Sequence, residues 1–141
     1  MMQREFTTKT VPTIEVSIYL AGDKQLIRTK CMEYCSLYGF CVTVTPNEFI
    51  YTGGTEDGVR IGIVNYPRFP SNRQKLMFHA NRLAVELAEA SYQNTVLVVG
   101  PEKTVWHTRR KEDLDTCTDS SMLSDLDIIP LNSLKEHDRQ V

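Results

Sequence analysis

The chain has 141 residues, of which 41% are hydrophobic and 24% charged; that is the size and balance of one globular domain, without room for a second independent core and without the ~18 consecutive apolar residues of a membrane span. The net charge of −2 is unevenly divided: residues 1–111 hold fourteen Lys/Arg against ten Asp/Glu, and residues 112–141 hold two against eight. A body at +4 with a tail at −6 is too weakly basic for duplex nucleic acid, but the body suits a small anionic ligand.

Met1–Phe6 offers no apolar run for a signal peptide. Ile14, Val16, Ile18 and Leu20 then alternate at period two, the pattern of a half-buried strand. Gly22-Asp23 supplies a turn and a helix N-cap, and Ile27, Cys31, Tyr34, Cys35 and Tyr38 fall on one helical stripe that Gly39 ends. Phe40, Val42 and Val44 alternate in a second strand, which Pro46-Asn47 is expected to end. Glu48–Thr52 and Val59–Val64 flank Gly53–Gly58, a turn-rich stretch, so a hairpin is expected there. Gly62 inside the return strand signals a bulge or the close approach of another group.

Tyr66-Pro67-Arg68-Phe69-Pro70 interrupts regular structure, and Ser71-Asn72-Arg73-Gln74 has the spacing of a capping box. Leu76, Ala80, Leu83, Ala84, Leu87 and Ala88 mark the apolar face of a long helix. Val96–Val99, the Gly100–Lys103 turn and Thr104–Thr108 form a closing hairpin. The order is β-α-β-β-β-α-β-β, an α+β fold with one sheet and two helices packed on it. Residues 1–111 read as the ligand-binding domain. Residues 112–141 read as an acidic tail in which Leu126, Ile128, Ile129, Leu131 and Leu134 form a potential apolar clip.

Chemistry is concentrated in Asn65-Tyr66-Pro67-Arg68-Phe69-Pro70-Ser71. Two prolines fix φ on either side of Arg68-Phe69, so the loop is organised at little entropic cost. It presents a cation and an aromatic ring beside a helix N-terminus, where backbone N–H groups and the helix dipole favour anions. Arg73 in the first helical turn adds a second cation. An arginine, an aromatic and a helix N-terminus together can receive a phosphate and a base. The competing reading is a rigid strand-to-helix connection with Phe69 packed and Arg68 solvated.

The Gly53–Gly58 stretch lacks the Gly-Lys-Ser/Thr ending of a phosphate loop, and a strand follows it. Cys31 and Cys35 share a helical face, but nothing nearby completes a zinc set, so buried thiols in a reduced, cytoplasmic protein are expected and no metal. His107, beside Trp106 and Arg109, is the best acid/base candidate, but it has no assigned carboxylate or nucleophile. His79 reads as a surface or boundary residue. Trp106 with Arg109-Arg110-Lys111 offers a surface for stacking and charge neutralisation.

Through Tyr51-Thr52-Gly53-Gly54, the run from Gly58 through Arg60 to Pro70, and Gly100–Trp106, the chain resembles small bacteriophage-encoded anti-defence proteins, in particular the first Thoeris anti-defence family. The resemblance spans roughly residues 13–110. It implies an oligomeric, non-enzymatic sponge in the host cytoplasm that sequesters cyclic ADP-ribose isomers, and in some cases cyclic dinucleotides, without cleaving them. It implies no cofactor, and its binding class of arginines and aromatics corresponds here to Arg68, Phe69, Trp106 and Arg109. With the neighbouring polar groups, the expected ligand set is Arg60, Asn65, Tyr66, Arg68, Phe69, Arg73, Trp106, His107 and Arg109, with no catalytic residue. The alternatives are an interaction module that inhibits a host protein and a small nucleotide-modifying enzyme using His107.

Overall fold

A computed structural model describes residues 4–115. The elements run β1 (Glu15–Ala21), α1 (Lys24–Tyr38), β2 (Thr43–Tyr51), β3 (Gly54–Val64), α2 (Arg73–Ala90), β4 (Thr95–Val99) and β5 (Thr104–Thr108), followed by a 3₁₀ turn at Lys111–Asp115. The five strands form one antiparallel sheet in the order β2-β3-β1-β4-β5. Cys117, His137 and the apolar clip lie outside the described residues.

Local chemistry accounts for most of the boundaries. Asp23 caps α1 by accepting from the backbone of Gln25 at 2.7 Å, and Gly39 closes that helix in the left-handed conformation at φ 63°. The cap of α2 is Asn72, one residue later than the expected capping box, with its Oδ1 accepting from Lys75 N at 2.8 Å. Two differences concern the first hairpin. The segments around Pro46 form one strand, because β2 is an edge strand and a proline there leaves no ladder bond unmade. The turn is only Thr52-Gly53, with Gly53 at φ 93° and Tyr51 paired to Gly54, so the glycine-rich stretch is mostly strand.

Alternate residues of the central strands, Val16, Ile18, Leu20, Val59, Ile61, Ile63, Val96 and Val98, join Ile27, Cys31 and Tyr34 of α1 and Leu76, Ala80, Leu83, Ala84 and Leu87 of α2 in one buried cluster. Both helices therefore cover the same face of the sheet, and the opposite face carries no helix among the described residues. Burial pushes the Cys31 thiol up to about 12, with Cys35 adding to the shift, so Cys31 behaves as a small apolar group. His79 departs from its expected surface placement. It is buried, its Nδ1 lies 2.6 Å from the Tyr34 hydroxyl, and Tyr38, Phe40 and Phe78 surround the ring. Leu76 and Leu83 flank it on the same helical stripe, and only the partner hydroxyl on α1 makes that position acceptable for a polar ring.

Candidate functional site

The segment between β3 and α2 is held by its first residue. Asn65 is buried, donates from Nδ2 to the Pro12 carbonyl at 2.8 Å, and accepts from Ser71 N at 2.8 Å through Oδ1. Asn65 thus cross-links the chain before β1 to both ends of the loop. Its side-chain amide is spent on the scaffold. Between Asn65 and Ser71 the chain turns tightly, with Phe69 N donating to the Tyr66 carbonyl at 2.8 Å. The turn brings the Tyr66 and Phe69 rings to 5.9 Å between centroids, and the Arg68 guanidinium stands 5.8 Å from the Phe69 centroid.

Both rings are open to solvent, Phe69 at 48% and Tyr66 at 44%. Phe69 is therefore a surface ring. An exposed arginine on an exposed aromatic pair, displayed by a braced loop, is an arrangement for contact. Two open depressions adjoin it. One, of about 560 Å³, runs between Pro12–Ile14 and the first turn of α2, including Ser71, Arg73 and Met77. The other, of about 290 Å³, lies between Thr10–Glu15 and Val64, Asn65 and Pro67. Arg73 at the rim of the first is ion-paired with Glu102 from the β4–β5 turn.

The nine residues expected to bind ligand occupy several places. Asn65, Tyr66, Arg68, Phe69 and Arg73 cluster at the end of the sheet where β3 finishes and α2 begins. Arg109 follows β5 at the opposite end. Its backbone N donates to the Asn94 carbonyl at 2.9 Å and its Nη2 to the Gln93 carbonyl at 2.8 Å, tying down the α2–β4 connection. Arg60 and Trp106 stand on the helix-free face, since Arg60 pairs with Tyr19, Tyr19 with Leu97, and Leu97 with Trp106. His107 points the other way, into the helix layer, where its Nε2 lies 2.9 Å from Asn81 Oδ1 and burial lowers its pKa.

Tyr19 and Leu97, which connect Arg60 to Trp106, were missed as surface residues of interest. Strand alternation gives each its face but not its neighbour. Tyr92, 84% exposed at φ 61°, was also missed; nothing in a bare tyrosine signals a left-handed backbone. Among the described residues, no group of His, Cys, Asp or Glu is arranged to hold a metal ion, and no helix is long and apolar enough to cross a membrane.

No protein-family model and no curated protein matches the chain. Among solved structures it is similar to a phage SAM lyase in its apo state, with a TM-score of 0.58 and 14% identity over 78% of this chain and 98% of that one. It is likewise similar to a phage SAM lyase in complex with S-methyl-5'-thioadenosine, with a TM-score of 0.59 and 13% identity over 74% and 96% of the two chains. The likeness is one of fold.

Proposed function

We propose that this chain is a phage protein that binds S-adenosylmethionine at the Asn65–Arg73 loop and cleaves it as a lyase. The observation that carries the reading is the fold shared with a phage SAM lyase over nearly the whole length of that protein, one of whose structures holds S-methyl-5'-thioadenosine. That thioether is what remains when the bond from sulfur to the γ-carbon of the aminobutyryl chain breaks with its electron pair staying on sulfur, while the substrate's own carboxylate oxygen bonds to that carbon and closes a lactone, so that neither water nor a second substrate is consumed. The step removes the positive charge of a sulfonium.

The loop has the groups to favour such a step. The Tyr66 and Phe69 rings offer a flat apolar surface for adenine, and Arg68 offers a cation for the substrate carboxylate. A sulfonium drawn out of water there gives up much stronger hydration than the neutral thioether does, and that difference favours the loss of charge. Asn65 acts as a positioning residue by bracing the loop.

The test is incubation with S-adenosylmethionine followed by mass analysis. Formation of S-methyl-5'-thioadenosine, reduced about 10–100-fold in Arg68→Ala by loss of a charge-assisted contact, is the expected result. Retained activity in both Arg68→Ala and Phe69→Ala would remove the site from this loop, and substrate recovered intact would refute the lyase. A second reading, sequestration of cyclic nucleotide signals without cleavage, is favoured by the Arg68 guanidinium standing on the exposed Tyr66–Phe69 pair, a cation and flat rings that suit a phosphate and a base. Stabilisation by a cyclic ADP-ribose isomer that is afterwards recovered unchanged would support it.

A further inference from the structure

The helix-free face has no second layer among the described residues, yet it is not made like a solvated face. An antiparallel sheet with one wet side alternates apolar and polar residues along each strand. In β4 the run Val96-Leu97-Val98-Val99 is apolar throughout, with Val96 and Val98 under the helices and Leu97 and Val99 on the other side. Tyr19 of β1 and Trp106 of β5 flank Leu97 across the sheet. Tyr19, Leu97 and Val99 are half-buried, and Trp106 is 45% exposed. The outward sides of the helices differ in kind, with Lys24, Arg28, Glu33, Lys75, Arg82 and Glu89 all exposed.

Thr45, Arg60, Tyr19, Leu97 and Trp106 form one row across all five strands, and Thr43, Gly62, Ser17, Val99 and Thr104 form the next. Arg60 is the one charged side chain in these two rows. It is half-buried, its guanidinium lies beside Gly62, and no carboxylate among the described residues pairs with it. Arginine, tyrosine and tryptophan without Lys, Asp or Glu is the composition of the centre of a protein interface.

The order of residues within the row identifies the partner. The neighbouring strands β3, β1, β4 and β5 contribute Arg60, Tyr19, Leu97 and Trp106 in that sequence. A two-fold axis parallel to the strands, between β1 and β4, exchanges β1 with β4 and β3 with β5. Laid on itself in this way, the row sets Arg60 of each copy on the Trp106 ring of the other, and Tyr19 of each on Leu97 of the other. The cation then meets the negative face of an aromatic ring. In the next row Ser17 comes opposite Val99, and Gly62, having no side chain, leaves room for Thr104. Such self-complementarity is what an isologous contact requires, and strands aligned across it are the packing of a β-sandwich.

We infer that two copies of this chain pack through their helix-free faces, helices outward, with reciprocal Arg60–Trp106 and Tyr19–Leu97 contacts. The inference is independent of the ligand reading, whose loop lies at the end of the sheet.

Sedimentation of the full chain at micromolar concentration is expected to give twice the mass of one chain. Arg60→Glu and Trp106→Ala each alter both halves of the reciprocal contact. Each should raise the dissociation constant at least about 30-fold, the loss of an interface anchor, with the circular dichroism unchanged. The register is read separately, by mixing Arg60→Cys chains with Trp106→Cys chains under glutathione disulfide and mapping the products by peptide mass. A disulfide between positions 60 and 106 is expected, and Thr45→Cys chains mixed with Trp106→Cys chains should give none, because position 45 lies one strand farther out. The mass of a single chain would overturn the inference. So would a dimer that neither Arg60→Glu nor Trp106→Ala weakens, or one that links position 45 to 106 as readily as 60 to 106.

Discussion

Single residues in this fold differ widely in what they tolerate. Gly58 pairs with Ala21, and a Cβ there would run into the Leu20 carbonyl, come within 2.8 Å of Ala21 Cα, and meet the Phe49 ring. The first two are backbone atoms of the central strand, so relief requires β1 and β3 to part. Gly58→Ala should therefore destabilise the protein by about 2 kcal/mol or more, read as a lowered urea midpoint. An unchanged midpoint would mean that the close approach is absent. Gly62 was flagged in the sequence as a bulge or a close approach, and it is the second: the ladder runs through it without interruption, and the Thr43 side chain fills the space above it. The same residue type at Gly39 has no neighbour within 4 Å and serves the helix end through its φ of 63°.

At the scale of elements, α2 contributes most of the helix layer. Leu76, Ala80, Leu83, Ala84 and Leu87 recur at helical spacing and are buried together, so their periodicity in the sequence carried their orientation as well as their structure. Leu83→Ala should cost about 2–5 kcal/mol in chemical denaturation, because the hole it leaves is walled by sheet and helix and cannot collapse fully. Leu37→Ala on the solvent side of α1, where the leucine is exposed, should change stability by about 0.5 kcal/mol or less. Equal losses for the two would contradict the assignment of core and surface. The β2 strand was less legible. Pro46 ends a central strand but not an edge strand, and edge position is a property of the sheet order alone.

The whole molecule responds to pH through two imidazoles on the same side of the sheet, His79 buried and His107 half-buried. Burial lowers the pKa of His79, with Lys75 and Arg82 adding to the effect, and burial alone lowers that of His107. Both rings are therefore favoured as neutral groups in the folded protein, while the unfolded chain takes up protons near the ordinary histidine value of about 6.5. The unfolded state binds more protons below that value, so stability is complete above about pH 7 and declines as the pH falls through 6.5 towards the folded values. Thermal midpoints measured from pH 8 down to pH 5.5 should drop, and His79→Gln/His107→Gln should flatten that slope whatever it does to the midpoint at pH 8. A slope unaltered in the double variant would place the titration elsewhere. The same two residues mark a limit of reading the sequence. The strand-end position beside Trp106 and Arg109 recommends His107 for chemistry, yet its ring enters the helix layer while Trp106 stands on the opposite face.

By itself the sequence determined the α+β class, the two helices with their apolar stripes, the Asp23 and Gly39 caps, and the Pro67–Pro70 loop that displays Arg68 and Phe69. These follow from period, capping chemistry and proline geometry, which act over a few residues. Tertiary structure alone decided that Arg109 lies at the far end of the sheet from Arg68, that Asn65 is spent on bracing, that His79 finds a hydroxyl on the other helix, and that Arg60, Tyr19, Leu97 and Trp106 line one face. Those relations join residues many positions apart. They depend on strand order and register, which long-range packing selects and no local pattern encodes.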